Sequence, residues 1–182
     1  MDEQINCQKI KEEIKLVSIK ELPFVMEIIN DAKKLLVKDS LQWQQGYPNE
    51  TTMDNDIKNS YLYGYYINNY LIGIVSLVPG IDINYLEIVN GSWENYPSES
   101  DLNIHRIAIR KDFHKKKLGE KLLKFAISFA KENNHKSIKL DTHVKNIAMQ
   151  KISLNSGFSY KGIIYLKRDE VDNSRLAYEL IV

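Results

Sequence analysis

The stretch from Leu102 to Ala126, LNIHRIAIRKDFHKKKLGEKLLKFA, decides how the chain is read. Its first eight residues alternate and favour extended backbone, so they fit a strand. Leu118, Leu122, Phe125, Ala126, Phe129 and Ala130 then recur at spacings of three and four, which predicts an amphipathic helix ending around Asn133 and Asn134. Between them His114, Lys115, Lys116 and Lys117 run into Leu118 and Gly119. A lysine run is most often a solvated face. At the positive end of a helix, however, each lysine costs a few tenths of a kcal/mol unless an anion is bound. Free N–H groups, a glycine that lets backbone approach closely and flanking lysines make a phosphate cradle.

Working outward, EEIKLVSI fits a first strand, and Ser18 to Glu21 has the Ser-x-x-Glu form of a capping box, so a helix should follow. Leu22, Val25, Met26, Ile29, Ala32, Leu35 and Leu36 form its apolar stripe. DSLQWQQGYPNETT interrupts the pattern, and a short polar helix begins near Thr51 or Thr52. YLYGYYINNYLIGIVSLV reads as a hairpin turning at Asn68 and Asn69, because asparagine tolerates the positive φ of tight turns. Residues 79–100 are irregular and acidic. After the central helix come KSIKLDT as strand, Asn146 to Ser156 as helix, and FSYKGIIYL and RLAYELIV as strands. Strand-helix-strand crossovers impose parallel pairs, so the expectation is a mixed α/β sheet, with ligands at strand C-terminal ends.

The 182 residues, 43% hydrophobic, suit one domain over 1–182. A formal net charge of +1 gives no push toward nucleic acid or an anionic membrane. Cys7 is the single cysteine, so no disulfide framework or cysteine-rich metal site is expected, and a covalent cysteine route is disfavoured. The polar N-terminus and the absence of roughly 18 consecutive apolar residues point to a cytoplasmic protein.

From His105 to Leu166 the chain resembles the core of the GNAT N-acetyltransferase superfamily. The resemblance implies the GNAT acyl-CoA N-acyltransferase fold, a central mixed sheet flanked by about four helices. It also implies acetyl-CoA as cosubstrate, with no metal. The family's Gln/Arg-x-x-Gly-x-Gly/Ala pyrophosphate loop aligns with His114 to Gly119, where His114 and Lys117 depart from the pattern and Gly119 is kept. Lys117 bears on whether the loop can take a positive φ. Asn146, eleven residues before Gly157-Phe158, matches the family asparagine and implies a cofactor contact; read from the residues, it is equally a helix N-cap. Ile107, Ala108 and Ile109 are implied to pair with the pantetheine arm like an added strand, with the Ile107 N–H polarising the thioester carbonyl.

The family's usual general-acid tyrosine falls at Ser153. A missing acid costs about 10²–10⁴ in rate, yet a thiol of pKa about 8.5 leaves with little help. Ser153 through a water, or Tyr160 or Tyr165, could supply the proton, although packing is the commoner role for such tyrosines. His105 matches the strand histidine that serves as base in the arylalkylamine acetyltransferases, and strict alternation would put it on the face of Asn103 and Ile107. Asp141, five residues before Asn146, matches the position of the glutamate in the ribosomal-protein alanine acetyltransferases; His143 is a weaker third base. Uncharacterised bacterial members sharing QW..GYP, DTH...N..MQ and GIIY resemble the chain more closely. Their counterpart segment flanks the acceptor site, so Gln42, Trp43, Gln44 and Tyr47 are candidate acceptor contacts or an aromatic loop plug.

These readings predict transfer of acetyl from acetyl-CoA to a primary amine on a small molecule or peptide, by a monomer or homodimer. A CoA-binding protein without catalysis is the alternative. Nucleic-acid binding through Lys115 to Lys117 is disfavoured by the near-neutral charge.

Overall fold

The computed structural model describes residues 10–38, 40–114, 116–168 and 171–182. Cys7 and Lys115 therefore lie outside the described residues. Strand β1 (Glu12–Leu16) leads through a 3-10 turn into helix α1 (Leu22–Leu36). The turn carries the expected capping box: the Ser18 side chain accepts from backbone, and Glu21 accepts from the Ser18 N–H. Asn49 caps the short α2 (Glu50–Lys58). Strands β2 (Leu62–Ile67) and β3 (Tyr70–Pro79) form the hairpin, with φ of 49° at Asn68 and 64° at Asn69, as a two-residue turn with two positive φ angles requires. β4 (Asp101–Ile109), α3 (Leu118–Glu132), β5 (Ser137–Thr142), α4 (Ile147–Asn155), β6 (Ser159–Tyr165) and β7 (Ser174–Ile181) complete the order.

The sheet has seven strands in the order β1-β2-β3-β4-β5-β7-β6, and β4 with β5 is its parallel pair. One face packs on α3 and α4 through Leu102, Ile104, Leu122, Leu123, Ile138 and Leu140. The other packs on α1 and α2 through Val25, Ile28, Ile29, Met53 and Ile74. Two departures from regularity position the site. First, β4 and β5 pair only from Asp101 with Ser137 to Ile104 with Leu140; beyond that the strands part, leaving residues 105–109 without a partner on the β5 side.

Second, β4 is bulged. Ile74 pairs with Ala108 and Ser76 with His105, so Arg106 and Ile107 together oppose Val75. Arg106 takes φ 49°, a left-handed conformation costing a non-glycine residue about 1–2 kcal/mol. Its side chain makes compensating bonds: Nε donates to Asp56 at 2.6 Å and Ser76 at 3.2 Å, and a terminal nitrogen donates to Tyr47 at 2.7 Å. The extra residue reverses the alternation expected from sequence. Ile107 and Ile109 join Leu102 and Ile104 on the α3 face, so Ile107 does not share the face of His105.

The irregular stretch after β3 is fastened across β7 and β6. Val89 pairs with Ile163, and Glu94 and Asn95 donate backbone N–H groups to Glu179 at 2.8 and 3.2 Å. Glu179 also meets Lys139 at 3.1 Å, and Lys139 meets Asp101 at 2.8 Å, all three fully buried. Tyr85 and Trp93, with Ile164, Leu166 and Ala177, make a small third core beneath this stretch.

Candidate active site

A cavity of about 740 Å³ opens where β4 and β5 part. Its ends differ in construction. One is made of the starts of α3 and α4. Lys117 caps α3 with its backbone alone, at φ 56° and ψ 22°, so the N–H groups of the first helical turn have no side-chain partner. The lysine thus holds the positive φ at the position where the resemblance calls for glycine. Gly119 sits where a Cβ would come within 3.0 Å of Ile152 Cδ1, which is why α3 and α4 approach closely here. His114 turns its Nε2 to the Ile109 carbonyl at 2.8 Å and so fastens the loop to the end of β4. Asn146 caps α4, its Oδ1 accepting from the Met149 N–H at 3.2 Å, and it also faces the cavity. Lys116 is not on the cavity wall; its ammonium lies 4.8 Å from the Phe113 ring centre.

The middle of the cavity is the unpaired edge of β4, with Ile107, Ala108 and Ile109 on its wall. The far end gathers side chains from distant segments. His105 Nε2 lies 3.0 Å from Asp82 Oδ2, and both side chains are mostly covered, at 18% and 13% exposure. Asp82 Oδ1 accepts from the Asn84 backbone N–H at 2.8 Å and from its side chain at 2.7 Å. Burial works to raise the Asp82 pKa, but the His105 contact and the Asn84 bonds outweigh it and hold the carboxyl below the ordinary aspartate value. Asp141 accepts a 2.8 Å hydrogen bond from the Tyr85 hydroxyl. Burial, together with the charges of Asp141 and Asp82, pushes the Tyr85 pKa well above the ordinary tyrosine value, so this phenol stays a donor. Arg106 is buried against Asp56 and Tyr47. Burial opposes its charge, yet those two partners raise its pKa on balance.

Gln42, Trp43 and Tyr47 form the wall opposite. Trp43 is buried in the α1-α2 core at φ 64°, and Tyr47 stacks beneath Arg168, 3.8 Å from its ring centre. Gln42 is 8% exposed and its Oε1 has no hydrogen-bond partner among the described residues. Gln44 is not on the wall: its amide donates to the carbonyls of Lys33 and Gln42, closing the loop onto α1.

Ser153 requires a correction. It is fully buried, its hydroxyl donates to the Met149 carbonyl one turn back at 2.8 Å, and it does not line the cavity. A hydroxyl so engaged cannot deliver a proton to a ligand. Tyr160 and Tyr165, half-exposed on β6, are also off the wall. His143 has both ring nitrogens engaged, with Asp172 at 2.8 Å and the Lys145 N–H at 3.2 Å, so it is structural. Sequence reading passed over Asp82, Asn84, Tyr85, Asp56 and Arg106. Only Arg106 left a trace, as a charge inside the apolar run IHRIAI. Among the described residues there is no cluster of three potential metal ligands, and no helix is long and apolar enough to cross a membrane.

A mixed sheet with its parallel strands parted over an uncapped helix start defines an acyltransferase fold. Comparison with known families matches residues 23–158 to the acetyltransferase (GNAT) family. The chain belongs to that family. No curated protein matches it. Among solved structures, it is similar to an acetyltransferase of the GNAT family from Streptococcus agalactiae 2603, at 30% identity and TM-score 0.84, covering 94% of this chain and 95% of that one. The PaiA N-acetyltransferase from Thermoplasma acidophilum in complex with coenzyme A shares the fold at 17% identity and TM-score 0.69, covering 94% and 99%. So does the ribosomal-protein-S18-alanine N-acetyltransferase from Escherichia coli, at 14% identity and TM-score 0.66, covering 94% of each chain.

Proposed function

We propose that this chain, acting as a single domain over 1–182, transfers an acetyl group from acetyl-CoA directly to a primary amine. The observation that carries the reading is the cavity itself, which joins an uncapped helix start to the His105 and Asp141 side chains along an unpaired strand edge. Each part fits a piece of acetyl-CoA. The first-turn N–H groups of α3, beside Lys117 and Gly119, suit a pyrophosphate, because the helix start presents donors and positive potential together. His114 and Asn146 flank that position on the cavity wall, while Lys116 stands off it over Phe113. The open edge at Ile107, Ala108 and Ile109 suits an extended pantetheine arm, which would add to the sheet as a strand does. When bound, acetyl-CoA supplies an acetyl thioester whose sulfur departs as a thiolate of pKa about 8.5, so the absence of a general acid at Ser153 is tolerable.

An alkylamine of pKa about 10.4 is only about 0.04% neutral at pH 7, a handicap of roughly 4.6 kcal/mol. A base at the far end of the cavity removes it. His105 and Asp141 are assigned that work: one takes the ammonium proton so that the free amine attacks the thioester carbon, the other holds a remaining N–H, and the second proton passes to the departing thiolate as the C–S bond breaks. The two carboxyl groups favour a cationic acceptor, and the unpartnered Gln42 Oε1 offers a further acceptor for an N–H. Trp43 and Tyr47 would pack on its apolar part.

The test is release of free thiol from acetyl-CoA in the presence of phenethylamine, spermidine or an alanine-terminated peptide. Turnover with any of them is expected, and His105→Ala or Asp141→Ala should lower kcat/KM by about 10²–10⁴. Tight acetyl-CoA binding by calorimetry with no turnover on a broad amine panel would instead favour a CoA-binding protein without catalysis. Unchanged turnover in both variants would remove the base assignment.

A further inference from the structure

We infer that Asp82 is a positioning residue that fixes the tautomer of the His105 ring, with Asn84 dictating which way Asp82 faces. This rests on the reading of His105 as a base, and adds to it the atom on which the base acts. Asp82 spends its two carboxyl oxygens on different partners. Oδ1 takes both Asn84 donors, at 2.8 and 2.7 Å, and Oδ2 faces His105 Nε2 at 3.0 Å. Asn84 is itself anchored, since its Oδ1 accepts the Lys167 N–H at 2.8 Å. With that oxygen engaged, its amide nitrogen is left to donate to Asp82. The contacts therefore run from the start of the β6-β7 connection to the imidazole, with donor and acceptor specified as far as Asp82 and a 3.0 Å contact from there to His105 Nε2.

The consequence is chemical. A carboxylate accepts and does not donate, so the neutral ring must place its hydrogen on Nε2. Nδ1 is left with a free lone pair, and it is the atom that takes the amine proton. Once it has done so, Asp82 lies against the imidazolium and stabilises the charge. Other groups face this pair: the Tyr85 ring, whose centre is 6.2 Å from that of His105, and Asp141 beyond it, already occupied by the Tyr85 hydroxyl.

The same bonds predict what Asp82→Asn does. Two Asn84 donors still need an acceptor, so the new amide turns its oxygen toward Asn84 and its NH₂ toward His105. That NH₂ needs an acceptor in turn, so Nε2 loses its hydrogen and Nδ1 gains one. The substitution inverts the tautomer while changing almost no volume. Long-range nitrogen-proton NMR of the neutral histidines, with the His105 signals identified by their loss in His105→Ala, reads this without any acceptor amine. The wild-type protein is expected to show His105 as the Nε2–H form and Asp82→Asn as the Nδ1–H form. A wild-type Nδ1–H ring would overturn the inference even if the variant failed to fold, and so would an Nε2–H ring retained in Asp82→Asn. In the thiol-release assay, with whichever of the three amines turns over, Asp82→Asn should lower kcat about 10²-fold with KM little changed. Inversion of the tautomer with unchanged kcat would leave the orienting role standing and refute His105 as the base.

Discussion

The two ends of the cavity are built by opposite means. At the end proposed for the cofactor, one continuous segment from β4 through the loop into α3 supplies nearly everything, and much of it is backbone: an unpaired strand edge and uncapped helical N–H groups. At the end proposed for the acceptor, side chains arrive from residues 42–47, 56, 82–85, 105–106 and 141, and Tyr47, Asp56, Asp82, Tyr85, His105, Arg106 and Asp141 are each held by a specific polar partner. A backbone site keeps its donors under most substitutions, because any residue presents the same N–H. A side-chain site depends on every member of its network. The lesson is that the end built from backbone is the less dependent on side-chain identity, and the end that would select the acceptor is the more fragile.

That contrast can be broken at three places. Asp56→Ala removes the carboxyl that meets Arg106 at 2.6 Å and leaves a buried guanidinium short of its counter-charge, which costs about 3–5 kcal/mol. At about 2–4 °C per kcal/mol for a chain of this size, the melting temperature should fall by roughly 6–20 °C. If the ends are independent, acetyl-CoA affinity measured by calorimetry below the transition should change little. An equal loss there would show that the bulge at Arg106 also sets the geometry of the neighbouring strand edge.

Gly91→Ala acts on the same end more gently. A Cβ at this position would stand 1.8 Å from the Lys161 carbonyl oxygen, so the backbone of the stretch carrying Asp82 and Tyr85 must shift. Overpacking of this kind costs about 1–3 kcal/mol. The expected outcome is a modest drop in melting temperature with a larger proportional loss of amine turnover than of acetyl-CoA binding. Equal losses would argue that the stretch does not carry the acceptor wall.

The smallest effect belongs to the cofactor end. Lys117→Gly relieves a left-handed lysine worth about 1–2 kcal/mol. Against this stands the extra chain entropy of glycine, about 0.5–1 kcal/mol. A net gain of about 0.5–1 kcal/mol should raise the melting temperature by a few degrees. Acetyl-CoA affinity should become less sensitive to salt as one phosphate-facing charge is lost. A fall in melting temperature would mean that the lysine side chain contributes more to the loop than its backbone costs.

The sequence by itself determined the order of strands and helices, the hairpin at Asn68 and Asn69, the capping box at Ser18 and the helix start at Leu118. These follow from local rules: hydrophobic period, capping chemistry and tolerance of positive φ act within a few residues. The resemblance to the acetyltransferase family, carried by sequence motifs, also put forward His105, Asp141 and Asn146 as candidates. Only the tertiary structure decided which face each one meets. The bulge at Arg106 turned Ile107 away from His105, a step that strict alternation cannot foresee, because it is held by Asp56 and Tyr47 from other elements. Packing buried the α4 residue Ser153 and tied its hydroxyl to Met149 within the same helix. Asp82, Asn84 and Tyr85 carry no local signature at all. Their significance arises when a stretch without regular structure is fastened across β6 and β7, bringing residues some twenty to sixty positions apart within hydrogen-bond distance of His105 and Asp141.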